Sequence, residues 1–178
     1  MNPWKLFRPD PMQAPAAGLY GAIVAQARQP AFYLAGGVPD SIDGRFEMVA
    51  LHCFLVLRRL RGAGEAAERL AQNLVDAFFG DMDASLREMG AGDLGVGKRV
   101  KRMATAFYGR LAAYESAQAP AGLAQALHRN LYGTAAPTAA QLASVVDYAQ
   151  AAGPRLARQP LEEIFAGRPD FPVWSIET

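Results

Sequence analysis

The sequence predicts an all-α protein, a single irregular bundle of about six to eight helices. Three observations predict it. Apolar residues recur at three- and four-residue steps through most of the 178 residues, the period of an amphipathic helix. Strand-like alternation is confined to Ala31–Leu34. The breaks between periodic segments carry glycine, proline and capping residues of the kind that start and stop helices. No repeat and no heptad seam accompanies the pattern.

Residues 1–15 hold Pro3, Pro9, Pro11 and Pro15 and read as an extended tail. Trp4, Leu6 and Phe7 in that tail suit docking on the body. A single helical domain is expected over 16–166, followed by a C-terminal tail, 167–178. Gly18 to Arg28 reads as the first helix, stopped by Pro30. Ala31–Gly44 reads as a packed loop, with Ala31–Leu34 extended. Asp43 is placed to cap a helix from Gly44 to Arg61. Phe46, Val49, Ala50, Cys53, Phe54, Leu57 and Leu60 keep helical spacing there, and Leu51, Leu55 and Val56 fill further faces. A helix apolar on that many faces is central to a core. Arg58, Arg59 and Arg61 suit its C-terminal dipole.

Gly62-Ala63-Gly64 is a connection to an amphipathic helix from Glu65 to Phe79, continued or restarted after Gly80 as far as Met89. A long helix follows from about Lys98 to Gln118. Pro120 opens another, with Leu123, Leu127 and Leu131 on one stripe and Gly133 as terminator. Thr138 and Gln141 form a capping box for a helix bearing Leu142, Val145, Val146 and Ala149, which Gly153-Pro154 is expected to stop. Leu161–Ala166 is a last short helix. In the final stretch Phe171, Val173 and Trp174 are the candidate anchors.

Composition excludes several function classes. Hydrophobic residues make up 51% and charged residues 20%, with a net charge of +1, so no global field draws the chain to nucleic acid. A lone cysteine, Cys53, rules out an internal disulfide and reads as a buried small hydrophobe. No apolar stretch reaches the roughly 18 residues of a membrane span. The N-terminus has neither a secretory signal pattern nor a mitochondrial-type targeting segment, which points to a bacterial chain acting in the cytoplasm. His52 lacks a second histidine or cysteine at ligand spacing, so it reads as structural; a metal site needs three or four such ligands. Catalytic carboxylate pairs or a nucleophile triad are not assembled by local motifs, and no cofactor is implied.

The most particular stretch is Phe78–Arg110. Asp81, Asp83, Glu88 and Asp93 precede a break made by Gly90, Gly92, Gly95 and Gly97; Lys98, Arg99, Lys101 and Arg102 follow it. Gly90 suits a helix C-terminus. After Gly97, Val100, Met103, Phe107, Leu111 and Tyr114 make one apolar face, leaving Lys98, Lys101, Arg102, Thr105 and Tyr108 on the other. The expected element is a helix–loop–helix with a charge reversal at the loop. Cations at a helix start oppose its dipole, which makes an anionic partner attractive. Gly92–Lys98 also matches seven positions of the phosphate-binding loop. Arg99 replaces the hydroxyl that would bind magnesium, and helix, not strand, precedes the loop, so the motif lacks its context. The Asp81–Asp83 pair offers too few oxygens for a cation and reads as a cap.

Several strings together are specific. YGAIVAQAR at Tyr20–Arg28, DGRFEMVALHCFLVLRRL at Asp43–Leu60, and DMD, SLREMG, GD, VGKRVKRM and FYGR within Leu70–Glu115 resemble the ubiquinol–cytochrome c chaperone family, over about Tyr20–Tyr132. The resemblance implies an assembly factor without catalytic residues. It implies action on cytochrome b or bc1 assembly intermediates during building of the cytochrome bc1 complex, respiratory complex III, at the membrane surface or near the ribosome, without sequence-specific nucleic-acid binding. The matching Asp81, Asp83, Asp93, Lys98, Arg99, Lys101, Arg102 and Tyr108 are the expected partner contacts, with Phe107 assigned to the core. A generic basic module for membrane or RNA, and a nucleotide-binding enzyme, are the alternatives.

Overall fold

The computed structural model describes residues 10–88, 93–117 and 119–174, with the side chains of 93–96 left aside. Among the described residues every regular element is helical. In chain order these are α1 (Gln13–Ala27), α2 (Pro30–Leu34), α3 (Ile42–Leu60), α4 (Glu65–Glu88), α5 (Asp93–Ser116), α6 (Pro120–Leu127), a π-helical turn (His128–Tyr132), α7 (Ala139–Arg158) and α8 (Leu161–Phe165). The expected all-α bundle is the fold.

The core is built around α3, which packs against α1, α4, α5, α7 and the π turn. Met48, Val49, Ala50, Leu51, Cys53, Phe54, Leu55 and Val56 are all buried, so the helix is apolar on nearly every face because it has neighbours on nearly every face. Leu57 is only half-buried and packs at the core's edge. The cap of α3 is Ser41, whose Oγ accepts from the Gly44 N–H at 3.1 Å. Asp43, expected as the cap, sits in the first turn instead, where its charge suits the dipole.

Further boundaries shift for identifiable reasons. α1 opens at Gln13, inside the segment expected to be extended, and Pro15 lies in its first turn where a missing N–H costs nothing. Ala31–Leu34 is helical, with Pro30 at the first position pre-set for a helix. Gly80 does not interrupt α4, which runs unbroken to Glu88, so Asp81 and Asp83 cap nothing. α5 begins at Asp93, not Lys98. α7 continues through Pro154 to Arg158. Leu156, fully buried two residues beyond the proline, anchors that last turn, and tertiary packing overrides local propensity. Gly62 and Gly64 both take positive φ, 68° and 99°, which makes the tight α3–α4 connection a glycine position.

The end of the described chain docks. Phe171 packs on the core and Trp174 is buried, whereas Val173 is 84% exposed and anchors nothing. Thr138 and Gln141 form the expected capping box of α7, with Thr138 Oγ1 accepting from the Gln141 N–H at 3.2 Å and Gln141 Oε1 accepting from the Thr138 N–H at 2.9 Å. Thr138→Ala removes one of the two bonds and is expected to lower stability by about 1 kcal/mol, read as a lower thermal midpoint in calorimetry. A midpoint equal to the parent's would show that α7 is held by packing alone.

Candidate functional site

α4 and α5 form an antiparallel hairpin laid against α1 and α3. Its register is set by aromatic packing: Phe107 stacks on Phe78 at 4.6 Å between ring centroids, and Phe79 meets Phe107 and Tyr108 at 5.6 and 6.2 Å. Phe107 is fully buried, as expected for the apolar face. Tyr108, the next residue, is 55% exposed, with its ring tilted at 45° to that of Phe79.

A second device fixes α5 on α3. Arg110 donates from Nε to both carboxylate oxygens of Glu47 at 3.0 Å and from Nη2 to Oε1 at 2.6 Å. Glu47 is only 5% exposed. Burial pushes its carboxyl upward, against the opposing pull of the guanidinium, and the carboxylate in turn raises Arg110. This fork geometry belongs to arginine, because lysine presents a single point charge. Tyr114, one turn further along α5, is buried, and that burial pushes its phenol up.

These two fixings turn the other face of α5 to solvent. Lys98, Arg99, Lys101, Arg102, Thr105 and Tyr108 are all exposed. The Thr105 hydroxyl donates to the Lys101 carbonyl at 3.1 Å, a bond within the helix that leaves the Lys101 ammonium at the surface. Because α5 starts at Asp93, these cations fall in its second and third turns. The dipole acts mainly within the first turn, so the electrostatic conflict expected at the helix start is largely absent. The side chain of Asp93 and the residues Gly90 and Gly92 lie outside the described part.

Asp81 and Asp83 have partners of their own, away from the cations of α5. Asp81 lines a cleft of about 340 Å³ between α1, α3, α4 and α5, where it accepts from the Tyr20 hydroxyl at 2.7 Å. Burial, with the Asp81 carboxylate beside it, pushes the Tyr20 phenol up, so the phenol stays a donor. Asp83 pairs with Arg87 one turn on, at 2.7 Å. The structure therefore separates the expected contacts into a cationic face on α5 and acids already engaged on α4. Gly95–Lys98 lies within the span of α5, and no strand occurs among the described residues, so the resemblance to a phosphate-binding loop has no structural counterpart there.

The sequence reading missed the Glu47–Arg110 pair and the Tyr20–Asp81 bond. A signal for the first exists. Glu47 sits between Phe46 and Met48 in the most buried helix, where a carboxylate demands a buried cation. Its partner, 63 residues away, could not be chosen from spacing.

His52 is structural, as expected. It is fully buried, with Nδ1 donating to the Met48 carbonyl and Nε2 accepting from the Tyr148 hydroxyl, both at 2.7 Å. Burial holds its pKa down to about 4. Among the described residues no cluster of three or more His, Cys, Asp or Glu could hold a metal, and no helix is long and apolar enough to cross a membrane.

A helical bundle that presents a fixed cationic helix face and an apolar cleft is equipped to bind another macromolecule. Comparison with known proteins gives the class a family. The family model for the ubiquinol–cytochrome C chaperone matches residues 34–174, and the chain belongs to that family, which consists of chaperones and not enzymes. The match ends well beyond Tyr132, taking in α7, α8 and the docked Trp174. The crystal structure of the Cbp3 homolog from Brucella abortus superposes with a TM-score of 0.80 at 39% identity, over 90% of each chain. The ubiquinol–cytochrome c reductase complex assembly factor 1 of Mus musculus is 24% identical over 135 residues, 75% of this chain and 46% of the mouse protein. The Xenopus laevis protein of the same name is 23% identical over 149 residues, 83% of this chain and 72% of the frog protein. The chain thus spans about half the length of the mouse relative.

Proposed function

We propose that this chain is an assembly chaperone of the cytochrome bc1 complex, respiratory complex III, which holds cytochrome b or an early bc1 intermediate during its maturation. The family match across 34–174, together with the likeness to the Brucella abortus homolog, supports the chaperone role. Each assembly factor above carries the ubiquinol–cytochrome c reductase complex in its own name. The client surface we assign is the solvent face of α5: Lys98, Arg99, Lys101, Arg102 and Tyr108. The carrying observation is that the Glu47–Arg110 fork and the Phe78–Phe107 stack fix α5 with these cations outward. Asp81, Asp83 and Asp93 complete the set at the hairpin's acidic side. The working unit is one domain, at least 16–166, acting in the cytoplasm at the periphery of the inner membrane.

Cytochrome b presents charged loops between apolar helices, and an exposed cationic face attracts acidic loops over the roughly 8–10 Å that salt leaves unscreened. Reversing Lys101 and Arg102 to glutamate lies outside the core and beyond the first turn of α5. It should change stability by no more than about 0.5 kcal/mol, the range of ordinary surface substitutions. In a deletion strain complemented with this double variant, assembled bc1 complex and its haem b signal should fall while the chaperone's abundance stays normal. Full bc1 activity with the reversed charges would remove α5 as the contact surface. Full activity in the deletion strain itself, with no second family member present, would remove the chaperone reading.

A further inference from the structure

We propose that the cleft between α1, α3, α4 and α5 takes one acyl chain of an anionic phospholipid, whose headgroup phosphate meets Arg28 at the cleft's mouth, so that this end of the bundle seats on a membrane surface. The cleft has a volume of about 340 Å³, the size of a small-molecule site. Val24, Phe46, Val49, Met82 and Met103 line it, and the two methionines let the wall adapt to a flexible chain. The polar pair in the lining is already satisfied, because the Tyr20 hydroxyl donates to Asp81 at 2.7 Å. An apolar occupant therefore strands no phenol. Each methylene buried there strengthens binding about fourfold.

The mouth lies at one end of the bundle. α1 and α4 run in the same direction, since Asp10 meets Asn73 and Tyr20 meets Asp81. Arg28 and Glu88, both lining the cleft, therefore stand at the same end. Ile42 and Arg45, from the start of α3, join them there. Arg28 is exposed and its side chain makes no ion pair among the described residues. Arg45 is held by Asp40 at 2.7 Å. α5 adds positive charge. Phe78 stacks on Phe107, and Met82 and Met103 line the cleft together, so the antiparallel register sets Glu88 across from Lys98 and Arg99. Arg99, exposed one turn before Met103, shares that residue's face of the helix. Glu88 is offset by these neighbours, and the mouth is left positive.

The exposed apolar surface agrees with this occupant. Ile42, at the mouth, is 64% exposed, although it opens the most buried helix of the fold. An aliphatic side chain held among cations suits the boundary between headgroups and acyl chains. Lysine and arginine beside that boundary draw anionic lipid. An apolar cleft that opens at a positive, aliphatic-edged mouth matches an anionic amphiphile at both of its ends. The inference goes beyond the client reading and does not rest on it, because the lipid binds without any client present.

The probe is dioctanoyl phosphatidylglycerol, kept below its micelle concentration and titrated into the full-length chain by calorimetry. Saturable binding is expected, weaker for dihexanoyl chains and absent for glycerophosphoglycerol, which is the headgroup alone. Arg28→Gln, at an exposed position, should weaken binding about fivefold, the share of one cation at an anionic lipid surface. Ser85→Trp, which fills the cleft from α4, should abolish it with the helical circular dichroism unchanged. Ile42→Asp covers the case in which Ser85→Trp does not fold, and should lower sedimentation with phosphatidylglycerol vesicles severalfold. No saturable binding of the octanoyl lipid would overturn the proposal. Equal binding of the headgroup alone would overturn it too, since only a phosphate site would remain. Lipid binding that ignores both Arg28→Gln and the cleft variants would place the lipid elsewhere and sink the proposal. A soluble leucine-rich helical peptide that binds the parent but not Ser85→Trp, with the lipid unbound, would give the cleft to a protein partner instead. The client reading is tested separately, by bc1 assembly in cells, and survives failure of the lipid titration.

Discussion

Replacing Arg110 by alanine is expected to destabilise the protein by about 3–5 kcal/mol, the range for removing one partner of a buried ion pair. The variant leaves Glu47, only 5% exposed, with three hydrogen bonds gone. The loss has a pH signature. Burial already raises the Glu47 pKa, and without the guanidinium it rises further. A carboxyl whose folded pKa lies above its unfolded value stabilises the fold only below the unfolded pKa, and that contribution is lost as pH rises through the folded pKa. The deficit of Arg110→Ala should therefore be largest at neutral pH and shrink toward pH 4. Arg110→Lys should recover only part of it, because the fork is lost. Replacing Glu47 and Arg110 together by leucine should cost far less than Arg110→Ala, since no charge is left stranded. Urea unfolding of the four chains at pH 7 and pH 5 measures this. A cost below about 1 kcal/mol for Arg110→Ala, the scale of an exposed pair, would show that the pair is solvated. The effect reaches function through position: without the fork, α5 loses a fixing that turns Lys101 and Arg102 outward.

Most of this architecture was legible because it rests on periodicity and local chemistry. The apolar series of α3, the stripe containing Phe107 and the Thr138–Gln141 box are each written within a few residues. What escaped the sequence has two physical origins. One is tertiary support for locally unfavourable backbone. Gly97 within α5 and Pro154 within α7 read as breaks, and at Gly80 within α4 continuation and restart were both open; the helices run through all three, with Phe107, Leu156 and Leu86 buried further along them. The other is pairing at long range. The bonds of Glu47 to Arg110, Tyr20 to Asp81 and His52 to Tyr148 span 63, 61 and 96 residues, and periodicity carries no information about such partners. The candidate surface was half legible. The period of α5 placed its cations on the outer face, where they are exposed, whereas the family resemblance that grouped Asp81 and Asp83 with them carries no information about the partners of those acids within the fold. The structure engages Asp81 with a phenol and Asp83 with Arg87.

Between pH 7 and pH 5 the protein is expected to lose about 2 kcal/mol of stability through His52 alone. The ring lies among Phe32, Phe171 and Tyr148. Its one strong acceptor is the Met48 carbonyl, already served by Nδ1–H. A second proton on Nε2 would point at the Tyr148 hydroxyl, which now donates to that nitrogen and accepts from Gln26 Nε2 at 3.0 Å. Burial accordingly holds the folded pKa near about 4, against 6.5 for a free histidine. The sign follows. As pH falls below 6.5 the unfolded chain takes up the proton first, so stability drops steadily until the folded protein can also protonate near pH 4. The full stability is present above pH 6.5. Carboxylates contribute to any acid loss, so the measurement needs a matched reference. His52→Leu alone should cost about 1–3 kcal/mol at pH 7, because it strands the Tyr148 hydroxyl proton. His52→Leu with Tyr148→Phe removes both polar partners, should recover part of that cost, and lacks the titrating group. The parent's unfolding free energy should therefore fall by about 2 kcal/mol more than the double variant's between pH 7 and pH 5. Parallel curves for the two proteins over that interval would mean that His52 titrates alike folded and unfolded, and that the buried bond to Tyr148 does not hold the ring neutral.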